Sequence, residues 1–226
     1  MKAFEKLPSE FRCDEVRPYY DALAKKTASR VLKRVFDLVV ALIILVFLII
    51  PMLVIAVAIK CDSKGPVFFL QERVTTYGRR FKIFKFRTMV VNAESLGTQV
   101  TTDCDSRVTK TGRLLRKFRL DELPQVLNVI GGSMSFVGTR PEVPRYVEQY
   151  RPEYYATLLL PAGITSLASI KYKDEEKLLA SAQDADRVYV EKVLPEKMRY
   201  NLEYLKSFGF LTDIKLMLQT VREVIS

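Results

Sequence analysis

Residues 38–59 read LVVALIILVFLIIPMLVIAVAI, 22 positions without a charged side chain and with a single proline, Pro51. As a helix this run would extend roughly 33 Å, enough to cross a hydrocarbon core of about 30 Å. Both flanks are basic. Lys25, Lys26, Arg30, Lys33 and Arg34 precede the run, and Lys60, Lys64, Arg73, Arg79 and Arg80 follow it. A spanning helix leaves its Lys/Arg excess on one side, so two basic flanks favour a segment whose ends return to the same face. Pro51 supplies the means, because it removes a backbone donor and its ring clashes with the preceding turn. The expectation is a re-entrant helix–break–helix that dips into one leaflet; a kinked spanning helix is the alternative. The run is too long, and begins too far along the chain, for a signal peptide.

The 226 residues contain no histidine, which excludes Ser–His and Cys–His nucleophile activation. Cys13, Cys61 and Cys104 are far apart and lack CxxC spacing, so neither a disulfide framework nor a zinc site is expected, in keeping with a reducing cytoplasmic face. Chemistry must then rest on carboxylates, Lys, Arg, hydroxyls or another metal. The net charge of +10 is concentrated in residues 60–120, which carry 14 basic and 5 acidic side chains. Cations just beyond a membrane segment are drawn to anionic headgroups, and they equally suit a phosphorylated substrate or nucleic acid.

The periodicities predict a mainly α protein with a small β-hairpin (α+β). Three units are expected: an N-terminal tail and interfacial helix over 1–34, a membrane helix broken at Pro51 over 35–60, and a catalytic domain over 61–226. Residues 1–18, with Pro8 and Pro18, read as a loosely structured tail, and 19–34 as an amphipathic helix anchored by Leu23, Val31 and Leu32. Residues 63–69 and 77–89 read as an antiparallel hairpin with a turn at Gly78. Residues 94–106 read as a polar loop and 110–119 as a basic helix with Leu114, Leu115 and Phe118 inward. A helix follows through LDELPQVLNVI and stops at Gly131-Gly132. Further helices are expected at about 145–159, 174–192 and 195–225.

Asp121-Glu122 is the sharpest chemical candidate. The pair follows Arg113, Arg116, Lys117 and Arg119 and precedes Pro124, which favours a first helical turn. There the helix dipole and nearby cations favour ionised carboxylates, able to attack phosphorus, accept a proton or hold Mg²⁺. The competing reading is an ordinary N-cap and first turn. Lys85 and Arg87 flank Phe86, and strand alternation would put both cations on one face, as a diphosphate needs; a solvated face is the alternative. Arg140, between Gly138-Thr139 and Pro141, is placed for bidentate phosphate binding or for a plain exposed turn.

Together, K-R-V-F-D (33–37), the Pro-interrupted run, G-P-V-F-F-x-Q-E-R-V (65–74), K-F-R-T-M (85–89), L-D-E-L-P-Q (120–125) and M-S-F-V-G-T-R-P (134–141) resemble the bacterial sugar transferases. The match is narrower to the small monotopic phosphoglycosyl transferases and runs from about Arg30 to Tyr200. The resemblance implies transfer of a sugar 1-phosphate from a UDP-sugar to polyprenol (undecaprenyl) phosphate, giving polyprenyl diphosphate sugar and UMP. This is the first membrane step of surface-glycan synthesis, at the cytoplasmic face of the bacterial inner membrane. It implies Asp121 as the nucleophile of a covalent phosphosugar intermediate, Glu122 as its partner, and Mg²⁺ held by Asp121 and Glu122. Lys85, Arg87, Arg119, Gln125, Arg140 and Pro141 would bind substrate. Partners would be the two substrates and membrane lipids, with a homodimer allowed and no nucleic acid expected. Two departures stand out: Ile50 precedes Pro51 where Ser is frequent, and Thr139 replaces a frequent Pro. The chain is expected to be a minimal catalytic unit. A non-catalytic basic membrane adaptor is the competing function, and it gives Asp121-Glu122 no role.

Overall fold

The computed structural model describes residues 1–91, 93, 107–172 and 184–225, with side chains described to 223. The predicted polar loop and much of the predicted helix at 174–192 therefore lie outside the described residues. Among those described, helices dominate, joined by two small sheets.

The apolar run lies in α2, Thr27–Asp62, which follows the short α1, Arg17–Ala24. Here the expected break is corrected: helical residues continue through Pro51 without interruption. A proline removes one intrahelical bond and can kink a helix without ending it. The middle of α2 is bare, with Val46, Phe47 and Ile50 each at least 70% exposed, so this is no core helix of a soluble protein. It is long and apolar enough to cross a membrane.

The two ends of α2 are docked on the same domain. At its start, Lys33 donates to Asp213 at 2.6 Å and Arg34 to the carbonyls of Val129 and Ile130 at 2.6 and 3.0 Å. At its end, Thr111 N–H donates to Asp62 at 2.9 Å, and Ile59 packs with Phe86 and Leu115.

The predicted hairpin is present as β1, Phe68–Val74, antiparallel to β2, Arg80–Phe86. Its turn places Tyr77 and Gly78 at positive φ (59° and 74°), a region that favours glycine at the second position. Opposed residues share a face, so Gln71 lies opposite Ile83 and Phe69 opposite Lys85, with Arg73 on that same side. This face covers α4, Gln125–Ile130, through Ile83, Val126 and Val129. Asn128 fixes the docking. Its amide accepts from Phe84 N–H and donates to Lys82 C=O, both at 2.9 Å, taking the place of a neighbouring strand.

A second sheet, absent from the sequence-based expectation, pairs β3, Met134–Val137, in parallel with β4, Ala162–Thr165. The stretch expected as one helix near 145–159 divides into α5, Pro144–Val147, and a 3₁₀ run, Pro152–Leu159. After β4 come α6, Leu167–Lys171, and α7, Ala185–Val188. A π-turn, Tyr189–Val193, leads into α8, Leu194–Ser207, and α9, Phe210–Ile225.

The tail is corrected as well. Leu7, Phe11 and Val16 are buried, at 4, 2 and 0% exposure, in the main core with Met198, Leu205 and Phe208. Leu23 is buried there too rather than facing lipid, whereas Val31 and Leu32 are exposed. On α3, Lys110–Lys117, Leu115 faces inward as expected, but Leu114 and, just beyond, Phe118 are 56 and 57% exposed.

Candidate active site

Asp121 and Glu122 occupy a 3₁₀ turn, Leu120–Glu122, and Pro124 sits at the N-cap of α4. The pair therefore precedes the helix instead of forming its first turn. Arg119 opens the turn with a left-handed backbone, φ 52°, which is strained for a residue bearing a side chain. Its side chain is exposed.

Glu122 is caged. Lys85 donates to its Oε1 at 3.1 Å, and Arg140 donates to both carboxylate oxygens, through Nη2 to Oε1 and through Nη1 to Oε2 at 3.3 Å. Burial opposes ionisation of Glu122, but the charges and hydrogen bonds of Arg140 and Lys85 outweigh it and hold the carboxyl well below its usual range. Asp121 is shifted the other way, by burial first and then by the neighbouring Glu122 charge. Among the described residues, no other residue's hydrogen bond or ion pair engages the Asp121 carboxylate. Two adjacent carboxyls thus have divergent environments: one fixed as an anion among cations, the other without a hydrogen bond from another described residue.

A narrow cleft of about 220 Å³, counting its open mouth, is lined by Arg73, Ile83, Lys85, Gln125, Arg140 and Pro141, and Lys85 and Arg140 join it to Glu122. Burial pushes Arg73 and Lys85 below their ordinary values, so this cationic wall is poorly solvated. Gln125 is 1% exposed, and neither its amide oxygen nor its nitrogen has a hydrogen-bond partner among the described residues. The Arg140 loop is held by close backbone contact. A Cβ at Gly138 would lie 2.5 Å from Pro161 O, and Gly163 N–H donates to Thr139 O at 2.9 Å.

The structure brings together Asp121, Glu122, Lys85, Gln125, Arg140 and Pro141, and leaves Arg119 and Arg87 apart. Arg87 lies one residue past β2, so strand alternation does not carry it to the Lys85 face. It turns to the end of α2 instead, donating to the carbonyls of Ser63 and Lys64 at 2.8 Å each. Helix-terminal carbonyls attract such a cation. Arg73 and Asn128 were not singled out by the sequence, although the register of the hairpin puts Arg73 on the same face as Lys85, two cross-strand pairs away.

Magnesium needs oxygen donors, and it is often held by one or two carboxylates together with substrate phosphates. The unengaged Asp121 fits that role. Glu122 fits it poorly, since both its oxygens already accept from cations. A larger hollow, about 630 Å³ with its open mouth counted in the same way and bordered by Arg145, Asp186 and Glu191, includes none of these residues.

Residues 28–226 match the family described as bacterial sugar transferase. This chain belongs to the bacterial sugar transferase family. Among its relatives is a UDP-N-acetylgalactosamine-undecaprenyl-phosphate N-acetylgalactosaminephosphotransferase of Aeromonas hydrophila, 36% identical over 86% of this chain and 44% of the relative. A UDP-glucose:undecaprenyl-phosphate glucose-1-phosphate transferase of Escherichia coli is 36% identical over 91% of this chain and 42% of the relative. The chain thus spans less than half the length of these two curated relatives. An uncharacterised sugar transferase of Bacillus subtilis is closer in size, being 33% identical with 88% of its length covered. In this family member the matched region contains all but the first residue of α2, both sheets and the whole cleft.

Proposed function

We propose that this chain transfers a sugar 1-phosphate from a UDP-sugar to polyprenol phosphate at a membrane surface, through a phospho-aspartate on Asp121. The observation that carries the reading is the unengaged Asp121 carboxylate beside a Glu122 locked by Lys85 and Arg140. A carboxylate oxygen of Asp121 attacks the sugar-bearing phosphorus, the bond to the bridging oxygen breaks, and UMP leaves with that oxygen. An oxygen of polyprenol phosphate then attacks the same phosphorus, forming the lipid diphosphate and returning Asp121 as carboxylate. Lys85 and Arg140 offset charge on the phosphoryl oxygens, and Glu122 orients both cations. Mg²⁺ held by Asp121 and the donor diphosphate would offset further negative charge. The adaptor reading offers no reason to cage one carboxylate and leave its neighbour unengaged.

The relatives' names differ in sugar, so the test is a donor screen. In membranes supplied with polyprenol phosphate and Mg²⁺, at least one of UDP-glucose, UDP-N-acetylglucosamine, UDP-galactose or UDP-N-acetylgalactosamine is expected to yield UMP in a lipid-dependent manner. Absence of UMP from every donor would contradict the reading and favour the adaptor.

Membrane association follows from α2, and we infer that both its ends lie on the cytoplasmic face of the inner membrane. Lys33 and Ile59, separated by about 39 Å in a straight helix, both contact the one domain that carries the cleft. The exposed Leu114 and Phe118 near α3, and Leu211, Leu218 and Val221 on α9, add apolar surface suited to the interface. Cysteines introduced at Asp21 and Lys64 in a cysteine-free chain should both react with an impermeant reagent only when the cytoplasmic face is open; labelling from opposite faces would refute the one-sided placement.

A further inference from the structure

We propose that Arg73 binds a phosphoryl group of the donor, as the cation of the cleft whose charge no carboxylate among the described residues contacts directly. This rests on the sugar-phosphate transfer reading for the identity of the anion. Lys85 and Arg140 are both hydrogen-bonded to Glu122. Among the described residues Arg73 makes three bonds, all to neutral acceptors: Nε and Nη2 donate to Gln71 Oε1 at 3.1 and 2.6 Å, and Nη1 donates to Pro141 O at 3.0 Å. Glu142 and Glu122 act on it only through space.

A guanidinium has five N–H groups, so two remain, one on each terminal nitrogen. That fork matches two oxygens of one phosphate. Arg73 lines the cleft beside Gln125, whose buried amide has no partner among the described residues and can donate to the same anion. The guanidinium is also fixed in place. Val74 N–H donates to Glu142 O at 3.0 Å, tying the end of β1 to the Arg140 loop. The Glu142 carboxylate, 4% exposed, pairs with Lys197 at 3.0 Å and so stays behind the loop. Arg73 is thus presented to the cleft by neutral bonds that leave its charge available.

The test is calorimetric titration of the full chain in lipid nanodiscs with inorganic pyrophosphate, which requires no turnover. Wild type should bind. Arg73→Gln should weaken binding by at least about tenfold, the scale of losing charge-assisted hydrogen bonds. Arg73→Lys should fall between, because it keeps charge and loses the fork. Arg79→Gln, an exposed cation on the same hairpin, should remain within twofold. Gln71→Glu covers the case in which Arg73 variants fail to fold: it gives Arg73 a carboxylate partner and should also weaken pyrophosphate. No binding by wild type, or unaltered affinity in the folded Arg73 and Gln71 variants, overturns the proposal. Its failure is distinct from that of the transfer reading, which is judged by UMP release.

Discussion

Replacing Asp121 by Asn is expected to lower UMP release by at least about a thousandfold, because an amide cannot attack phosphorus. The same change should raise the thermal midpoint at pH 7, on the order of 2 °C. Burial and the adjacent Glu122 raise the Asp121 carboxyl above its ordinary value, so folding favours its protonated form. Stability from this group is present at low pH and lost as pH rises through the folded-state value; Asn removes that loss. A gain in stability with loss of turnover separates a reactive group from a structural one. The pH profile carries a second sign. Attack needs ionised Asp121, so activity should fall on acidification at a pH above the ordinary aspartate range. Glu122→Gln, which removes the neighbouring negative charge, should move that acid limb downward. An unmoved limb, or near wild-type turnover in Asp121→Asn, would contradict the assignment.

Asp213→Ala should be the most damaging single change to stability. Asp213 Oδ2 lies 2.6 Å from Lys33 Nζ, with the two side chains 5 and 6% exposed, and Tyr204 donates to its Oδ1 at 2.7 Å. Lys33 keeps one further acceptor, Val137 O at 2.8 Å, which cannot neutralise an ammonium. Removing one partner of a buried pair costs about 3–5 kcal/mol, since the other charge remains in low dielectric. At about 2–4 °C per kcal/mol for a chain of this size, the midpoint should drop by roughly 10 °C. Lys33→Met with Asp213→Leu should recover much of that loss, because neither member of the pair is left without the other. A midpoint for Asp213→Ala within 2 °C of wild type would show that the start of α2 is held otherwise. The pair matters to function because the adjacent Arg34 reaches the last carbonyls of α4, the helix that begins just after Asp121-Glu122.

The parts of the molecule legible in the sequence were those encoded by local pattern. The hairpin followed from alternation between Phe81 and Phe86, and α2 from its composition. Asp121 and Glu122 stood out as adjacent carboxylates after a run of cations. Long-range contacts were not legible. Arg87 looked equivalent to Lys85 until the end of α2 supplied the carbonyls that it caps. Arg73 gained meaning only when Gln71 was paired with Ile83, which put Arg73 and Lys85 on one face. The strands β3 and β4 have four residues each and join segments far apart in sequence, too short for a period of two to show. The N-terminal segment looked polar, yet Leu7, Phe11, Val16 and Leu23 were already spaced to reach a core formed largely by the C-terminal helices.

The central claim, a covalent phosphosugar on Asp121, is tested most directly by trapping it. Wild-type chain mixed with its UDP-sugar and Mg²⁺, without polyprenol phosphate, should release about one equivalent of UMP in a burst. After rapid acid quench and proteolysis, mass spectrometry should find the peptide containing Asp121 heavier by one sugar phosphate, and adding polyprenol phosphate before the quench should discharge it. An unmodified Asp121 peptide from chain that turns over in the presence of acceptor, with no UMP burst, would contradict the account and point to direct transfer between the two substrates.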